Sequence, residues 1–265
     1  MYTTLLVDDP KPSVKRITLN RPDKRNAINN EMRKELFDTL AMFDRDDSVR
    51  VTIIRGAGKC FSSGYDLASD LAADQPYASA PGDGAWSRHV TEGWFGIWDL
   101  AKPVIAQVHG YAMAGGSELA TACDLVYLGE NTQIGYPVTR VLSPPDMQFH
   151  PWLVGMRKAM ELMLTGDAMI GENAVAAGFA NQAFAEDMLD ESVLAIAEKI
   201  AGVAPDLNQL NKRSVHRAME VMGARTAMRA GSELMALATH QASTKAFLEN
   251  ALSAMKAENK HEKPD

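Results

Sequence analysis

Residues 102–127, KPVIAQVHGYAMAGGSELATACDLVY, contain the pattern that decides the fold. The run KPVIAQVHG predicts a strand, and the glycine-rich residues that follow it predict a turn. The next run, GSELATACD, predicts a helix, and LVYLGE predicts another strand. A strand, a turn, a helix and a second strand in quick succession are typical of an α/β protein with mostly parallel strands.

Strands and helices are also predicted before this stretch. TTLLVDD and SVKRITLN predict two strands, the second followed by the turn-like NRPDKRN, and VRVTIIRG predicts a buried strand. EMRKELFDTLAMFDRD predicts a helix with one apolar face, formed by Met32, Leu36, Leu40 and Phe43. Residues 69–84 predict a loop, because they are rich in proline and glycine. The helix predicted after it has an aromatic face, formed by Trp86, Val90, Trp94 and Trp98.

The segment IGYPVTRVLSPPDMQFHP, residues 134–151, contains four prolines. Proline removes a backbone donor and fixes φ, so this density predicts an irregular segment rather than a helix or a central strand. Long irregular segments in compact chains are usually functional or disordered, and this one is too apolar for disorder. We therefore predict a rigid, functional loop, called the proline segment below.

The residues after the proline segment predict helices almost throughout. One helix is predicted to end at Gly166 and a shorter one at Gly178. From residue 186 to the end only helical patterns occur, with a break near Pro205. We therefore predict a core over residues 1–204 and a C-terminal helical region over residues 205–265.

The composition excludes several classes of protein. The chain has 265 residues, of which 46% are hydrophobic and 23% charged, as in ordinary globular proteins. Its two cysteines argue against a disulfide scaffold, and no apolar run is long enough to span a membrane. The net charge of −7 disfavours nucleic acid as a partner. Together with an N-terminus that lacks a signal-peptide pattern, these features predict a cytoplasmic protein.

Two glycine-containing segments could each supply backbone N–H donors to a catalytic site. GKCFSSGYDL at 58–67 and HGYAMAGGSEL at 109–119 each follow a predicted strand and leave backbone N–H groups without an intrachain partner. Two such donors aimed at one point form an oxyanion hole, which stabilises charge that develops on a carbonyl oxygen. Taken singly, each segment is better explained as a plain glycine turn.

A longer set of motifs resembles the enoyl-CoA hydratase/isomerase (crotonase) superfamily. It consists of LNRPDKRNAIN at 19–29, GKCFSSGYDL, residues 102–127, MLTGD at 163–167 and AVAAGFAN at 174–181. The resemblance covers about residues 5–200. It implies an α/β fold, a crotonase-like spiral of ββα repeats with a C-terminal α-helical trimerisation region, and assembly into homotrimers or homohexamers. It also implies an acyl-CoA thioester substrate, with no cofactor besides the coenzyme A of that substrate.

The resemblance also implies roles for single residues. The oxyanion donors of the family correspond here to the backbone N–H groups of Tyr65 and Gly115. Binding of the substrate and its coenzyme A is implied for two neighbouring segments, at Lys24, Arg25, Ala27, Ser63, Asp66 and Leu67. A carbonyl polarised by two N–H groups acidifies its α-carbon and accepts an enolate, a step that hydration, isomerisation, hydrolysis and decarboxylation share.

The proton-transfer groups depart from the family pattern. Hydratases of this family commonly use two glutamates, of which the first corresponds to Glu118 and the second to Val138. Valine cannot transfer a proton. Asp146 lies eight residues further on, where some dienoyl-CoA isomerases and a dehalogenase of the superfamily place a catalytic aspartate. The resemblance therefore implies Glu118 as general acid/base and Asp146 as the second acid/base group or a nucleophile.

Simpler roles stay open for these residues. Glu118 could be a helix-start glutamate favoured by the macrodipole, and Asp146 a turn or N-cap residue. His150 is predicted to be a packed structural histidine, with an active-site role as the alternative. His109 is predicted to bond the backbone near its glycine turn, and Arg140 to form a surface ion pair or hold a carboxylate of the acyl group. No metal-ligand spacing occurs.

The implied activity is hydration of a 2-enoyl-CoA. Because Val138 replaces the usual glutamate, double-bond isomerisation and hydrolysis of a carbon–carbon bond remain alternatives. A catalytically weak acyl-CoA-binding or scaffold protein is the alternative from another class, whereas RNA binding has little support from an acidic chain.

Overall fold

The computed structural model describes residues 2–68 and 85–261, so the loop predicted at 69–84 lies outside the described residues. The strands are β1 (Leu5–Lys11), β2 (Val14–Leu19), β3 (Val51–Gly56), β4 (Val104–Val108), β5 (Tyr111–Met113), β6 (Leu125–Gly129), β7 (Gln133–Gly135), β8 (Met169–Ile170) and β9 (Gln182–Phe184). The helices are α1 (Asn30–Arg45), α2 (Ala85–Asp99), α3 (Gly115–Ala122), α4 (His150–Thr165), α5 (Gly171–Ala176), α6 (Leu189–Ala201), α7 (Pro205–Val221), α8 (Ala224–Thr239) and α9 (Ala242–His261).

The strands form two sheets, which are linked by the turns of a spiral. The larger sheet has the order β1-β2-β3-β4-β6-β9, in which only the β1–β2 pair is antiparallel. The smaller sheet has the order β5-β7-β8. The chain passes from β4 to β5 and then α3, and from β6 to β7, so that each turn contributes one strand to each sheet. The predicted α/β spiral of ββα units is confirmed.

The core lies between the larger sheet and helices α1 and α2. The apolar face predicted for α1 is confirmed, because Met32, Leu36, Leu40 and Phe43 are all buried. The helix begins where the sequence indicates, since the Asn29 side chain accepts a hydrogen bond from the N–H of Met32 at 2.9 Å. Helix α2 buries Val90, Trp94 and Trp98 against this core.

Four short strands were not predicted. β5, β7 and β9 have three residues each and β8 has two, too few for a period of two to be visible in the sequence. β5 runs through the glycine-rich stretch that predicts only a turn. It pairs in parallel with β7, and this pairing places the start of α3 beside the proline segment.

Between β7 and α4 the proline segment is irregular apart from one 3₁₀ turn at Pro137–Arg140. Helix α4 begins at His150 rather than after Pro151, because proline is tolerated in the first turn of a helix. Gly155 interrupts that helix with a φ of 70°. The segment packs against α8: a β-carbon added to Gly231 would lie 2.6 Å from the carbonyl oxygen of Asp146.

The C-terminal helices begin where the sequence predicts the break. α6 ends at Ala201 and α7 begins at Pro205. α7 is fixed to the core by Lys212, whose Nζ lies 2.9 Å from Oδ2 of Asp124 and donates to the carbonyl oxygen of Ile97. Lys212 therefore holds α7 to the core through structural contacts. Within the described residues, no helix combines the length and apolarity that a membrane crossing requires.

Candidate active site

Two chain segments run side by side to form the base of the site. The N–H of Ser62 donates to the carbonyl of Tyr111 at 3.2 Å, and the N–H of Met113 donates to the carbonyl of Ser62 at 3.0 Å. Gly64 permits the close approach, because a β-carbon there would lie 3.0 Å from the Ala114 β-carbon and 3.3 Å from the nitrogen of Gly115. Its φ of 108° also favours glycine.

This pairing brings the two predicted oxyanion donors into one region. Ile28 and Tyr65 form a parallel bridge through hydrogen bonds of the residues on either side of Tyr65. The N–H of Ile28 donates to the carbonyl oxygen of Gly64, and the N–H of Asp66 donates to the carbonyl oxygen of Ile28. The N–H of Tyr65 therefore points away from Ile28. Gly115 is the first residue of α3, so its N–H is one of the helix-start donors that have no acceptor within the helix.

The side chain of Tyr65 is a feature that the sequence analysis missed. Its ring lies over Gly115, because a β-carbon on Gly115 would be 2.6 Å from Cζ of the tyrosine. Its hydroxyl donates to Oε2 of Glu118 at 2.5 Å and accepts from Nε1 of Trp94 at 3.0 Å. Tyr65 therefore links the oxyanion region to the predicted general acid/base.

Glu118 lies in the first turn of α3 and is 2% exposed. Its Oε1 accepts the backbone N–H of Met147 at 3.3 Å, which joins α3 to the proline segment. Burial raises the pKa of Glu118 well above its ordinary value, and the nearby charge of Asp146 raises it further. Glu118 is therefore a helix-start glutamate, but a buried one with a raised pKa, and its role as general acid/base stays a prediction.

Asp146 is 1% exposed and faces the same interior. Its carbonyl accepts a hydrogen bond from Oγ1 of Thr91 at 3.3 Å. Burial raises the pKa of its side chain to about 7, against an opposing effect from Arg33. Its Oδ1 has no hydrogen-bond partner within residues 2–68 and 85–261. The N-cap position of α4 is Phe149, so the helix-cap alternative for Asp146 is wrong.

Val138 lies in the 3₁₀ turn and brings no titratable group to the site. Tyr136, two residues earlier, is buried, and its pKa is raised well above the ordinary value by burial and by the charges of Glu118 and Asp146. The site therefore contains two buried carboxyl groups with phenols beside them.

Two further charged or titratable residues were missed. Arg33 is 0% exposed, and its guanidinium carbon lies 4.8 Å from the ring centroid of Trp86. His89 is buried on α2, and burial, followed by the charge of Arg33, lowers its pKa to about 4. The sequence contains a pattern that indicates burial of Arg33. On a helix, Arg33 shares a face with Leu36 and Phe37, which follow it by three and four residues.

The residues predicted to bind the substrate and its coenzyme A lie on the two segments that meet here. Arg25 has a left-handed φ of 54°, and its carbonyl accepts the N–H of Ser63 at 3.0 Å. Asp66 is ion-paired with Arg21 at 2.8 Å. Lys24 and Leu67 are exposed, whereas Ala27 and Ser63 are half-buried. The structure thus brings these segments together, and their role in binding stays a prediction.

The remaining candidates make other contacts. His150 is buried, with Nδ1 2.8 Å from Oε1 of Gln148 and its ring against Phe179. Burial lowers its pKa to about 4. His109 Nε2 lies 2.9 Å from the carbonyl oxygen of Gly58, as predicted, and Arg140 forms an ion pair with Asp167. Within the described residues no cluster of histidine, cysteine and carboxylate side chains could hold a metal ion.

Comparisons with known proteins identify the family of the chain. Residues 9–258 match the family model for enoyl-CoA hydratase/isomerase. A probable enoyl-CoA hydratase of Rhizobium meliloti (strain 1021) is 34% identical over 98% of this chain and 99% of its own. The putative enoyl-CoA hydratase EchA13 of Mycobacterium tuberculosis (strain ATCC 25618 / H37Rv) is 35% identical over 82% of this chain and 74% of its own.

The fold agrees as well. The crystal structure of an enoyl-CoA hydratase/isomerase from Xanthobacter autotrophicus Py2 superimposes with a TM-score of 0.86 at 32% identity, covering 100% of both chains. The described site places a glutamate at the start of α3, behind a glycine turn. The chain therefore belongs to the enoyl-CoA hydratase/isomerase family of the crotonase superfamily, and it is an acyl-CoA enzyme of the hydratase-like lyase type.

Proposed function

We propose that the protein adds water across the double bond of a 2-enoyl-CoA, with Glu118 and Asp146 as the two proton-transferring groups. The thioester oxygen binds between the N–H groups of Tyr65 and Gly115, which stabilise the negative charge of the enolate. The coenzyme A binds in a cleft that is lined by Lys24, Arg25, Ala27, Ser63, Asp66 and Leu67.

The proton steps use one ionised and one protonated carboxyl group. The ionised member of the pair takes a proton from water as the water oxygen bonds to the β-carbon. The enolate then takes a proton at its α-carbon from the protonated member. The sum is addition of one water molecule, and the pair ends with its single proton on the other member.

The observation that carries this proposal is the burial of two carboxyl groups in one interior. Glu118 and Asp146 come from α3 and the proline segment and are 2% and 1% exposed, and the charge of Asp146 raises the pKa of Glu118. Because like charges in a buried site disfavour double ionisation, such a pair is suited to hold one proton and one negative charge near neutral pH.

Double-bond isomerisation is the second candidate, and Val138 favours it. A carboxyl pair without the usual second glutamate can move a proton between the α- and γ-carbons without activating water. Hydrolysis of a carbon–carbon bond stays possible for the same reason, as does a catalytically weak acyl-CoA-binding protein.

The experiment compares wild type with Asp146→Asn and Glu118→Gln on short and bulky 2-enoyl-CoAs and on a 3-enoyl-CoA. Loss of the conjugated thioester absorbance with a hydroxyacyl product supports hydration, and appearance of that absorbance from the 3-enoyl-CoA supports isomerisation. If wild type binds every thioester and converts none, the catalytic proposal is wrong and the binding alternative stands.

The proposal also includes the oligomeric state and the cellular compartment of the protein. Residues 205–265 carry exposed apolar side chains, among them Leu210, Val215, Leu234 and Leu237, which suit an interface between copies in a homotrimer or homohexamer. The two cysteines are buried and unpaired, as expected of a cytoplasmic protein. Light scattering of the purified chain tests the assembly, and a monomer would contradict it.

A further inference from the structure

Helix α2 contacts the supports of both buried carboxyl groups, Glu118 and Asp146. Thr91 and Trp94 are each 0% exposed and lie three residues apart on α2, so they share one face of that helix. Oγ1 of Thr91 donates to the backbone carbonyl of Asp146 at 3.3 Å. Nε1 of Trp94 donates to the hydroxyl of Tyr65 at 3.0 Å, and this hydroxyl bonds Glu118. One turn of a single helix therefore reaches both groups of the pair.

The hydrogen bonds from Trp94 to Glu118 run in one direction. An indole N–H can only donate, so the hydroxyl oxygen of Tyr65 is the acceptor from Trp94. The single proton of that hydroxyl is then directed at Oε2 of Glu118, 2.5 Å away. Trp94 thus sets the orientation of the hydrogen bond that Glu118 receives.

The hydrogen bonds around Asp146 form a second chain, which runs from α8 to the proline segment. Oγ of Ser232 lies 3.0 Å from Oγ1 of Thr91. Because Thr91 has one hydroxyl proton and gives it to the carbonyl of Asp146, Ser232 is the donor between the two hydroxyl groups. Gly231 lets α8 approach the same carbonyl, since a β-carbon there would lie 2.6 Å from its oxygen. The backbone of Asp146 is therefore held between two helices.

We propose that Thr91 and Trp94 are positioning residues, which set the placement of Asp146 and Glu118 relative to each other. The inference rests on the proposed roles of the two carboxyl groups in proton transfer. The direct bond between their segments, from the N–H of Met147 to Oε1 of Glu118, is long at 3.3 Å and restrains them weakly. Two contacts to one helix supply the further restraint. This restraint matters for the rate, because a misplacement of about 1 Å can cost about 10² in catalysis.

The first measurement follows hydrogen exchange of the Met147 amide and needs no turnover. Thr91→Val keeps the shape of the side chain and removes the hydroxyl, so the proline segment should open more often and this amide should exchange about two- to tenfold faster. Thr91→Ser keeps the hydroxyl and should exchange like wild type. Thr39→Val is the matched control, because Thr39 is buried on α1 and its hydroxyl bonds a carbonyl of its own helix at 2.6 Å.

Two outcomes of the exchange measurement would overturn the inference. One is wild-type exchange of Met147 in Thr91→Val, and the other is equally faster exchange in Thr91→Val and Thr39→Val, which would indicate general destabilisation. If Thr91→Val does not fold, Ser232→Ala carries the same test, because it removes the donor that orients the Thr91 hydroxyl.

The second measurement separates kcat from KM. Thr91→Val should lower kcat by about tenfold and leave KM unchanged, because a misplaced proton-transferring group weakens the transition state and not the bound substrate. Thr91→Ser should restore most of the rate, and Thr39→Val should keep the wild-type kcat. A higher KM with an unchanged kcat in Thr91→Val would overturn the inference.

A double-mutant cycle tests whether Trp94 acts through Tyr65. Trp94→Phe should lower kcat about three- to tenfold by itself and have no further effect in combination with Tyr65→Phe, because the hydroxyl that Trp94 orients is then absent. Trp98→Phe is the control, since Trp98 lies one turn further along α2 with its ring stacked on His216 at 4.6 Å, and its effect should be the same in both backgrounds. Additive effects of Trp94→Phe and Tyr65→Phe would overturn the role of Trp94. Wild type that converts no thioester would instead contradict the proposed function and leave the exchange result standing.

Discussion

The hydroxyl oxygen of Tyr65 lies 2.5 Å from Oε2 of Glu118, while the ring of the same tyrosine covers Gly115. One residue thus contributes a backbone N–H to the proposed oxyanion hole and fixes the proposed general acid/base with its side chain. Any movement of the loop at 61–66 would displace both. Tyr65 therefore connects the proposed oxyanion hole to Glu118, and each of these parts can be tested separately by substitution.

Glu118→Gln should abolish turnover while leaving the substrate bound. The amide keeps the size of the side chain but cannot exchange a proton, so kcat should fall by about 10² to 10⁴. Calorimetric titration with an acyl-CoA should give an unchanged affinity. Glu92→Gln is the control, because Glu92 is an exposed glutamate paired with Arg229 at 2.7 Å. A Glu118→Gln enzyme with wild-type kcat would exclude Glu118 from proton transfer.

Tyr65→Phe removes the hydroxyl and keeps the ring and the backbone N–H. Glu118 then loses a hydrogen bond that favours its ionised form, so its pKa should rise further and kcat at neutral pH should fall by about tenfold. The indole N–H of Trp94 loses its acceptor, which should cost about 1–3 kcal/mol of unfolding free energy. Tyr127→Phe is the matched control, since Tyr127 is buried on β6 against Phe184. Equal effects in the two variants would contradict a specific role for Tyr65.

Gly115→Ala should disrupt the oxyanion region. The new β-carbon would lie 2.6 Å from the ring of Tyr65, so either the ring or the loop must shift. Misplacing one oxyanion donor costs about 10² to 10³ in kcat. Gly202→Ala is the control, because its β-carbon would lie 3.5 Å from the nearest atoms, an ordinary contact. The prediction fails if both alanine variants keep the wild-type rate and melting temperature.

Asp146→Asn should change how stability depends on pH. The pKa of this carboxyl rises from 3.8 to about 7 on folding, so the native state holds a proton that the unfolded chain has released. This group therefore favours the fold at low pH, and its contribution is lost as pH rises from about 4 through 7. The asparagine variant should lack that loss and be more stable than wild type at pH 8, by an amount on the order of a few kcal/mol. Denaturant unfolding between pH 5 and 8 measures the free energy of unfolding of both proteins. If this free energy depends on pH in the same way in both, Asp146 is not protonated in the fold.

Some of this site could be read from the sequence because its signals are local. The glycines of 58–67 and 109–119, the strand before each and the Asn29 cap act within a few residues. The helix that starts after the second glycine turn places Glu118 in its first turn whatever the rest of the chain does. Such features indicate the family and the position of one proposed proton-transferring group.

The contacts that decide the chemistry join distant parts of the chain. Tyr65 and Glu118 are 53 residues apart, and Glu118 reaches the proline segment across 29 residues. Whether Asp146 caps a helix or faces Glu118 depends on how the proline segment packs against α8, which no local pattern encodes. The stacking of Arg33 on Trp86 likewise depends on how α1 is placed beside α2. The sequence by itself determined the backbone frame and the family, because strand, turn and cap preferences are local. Only the tertiary structure decided which ionisable groups are buried together, because charge and burial act through space.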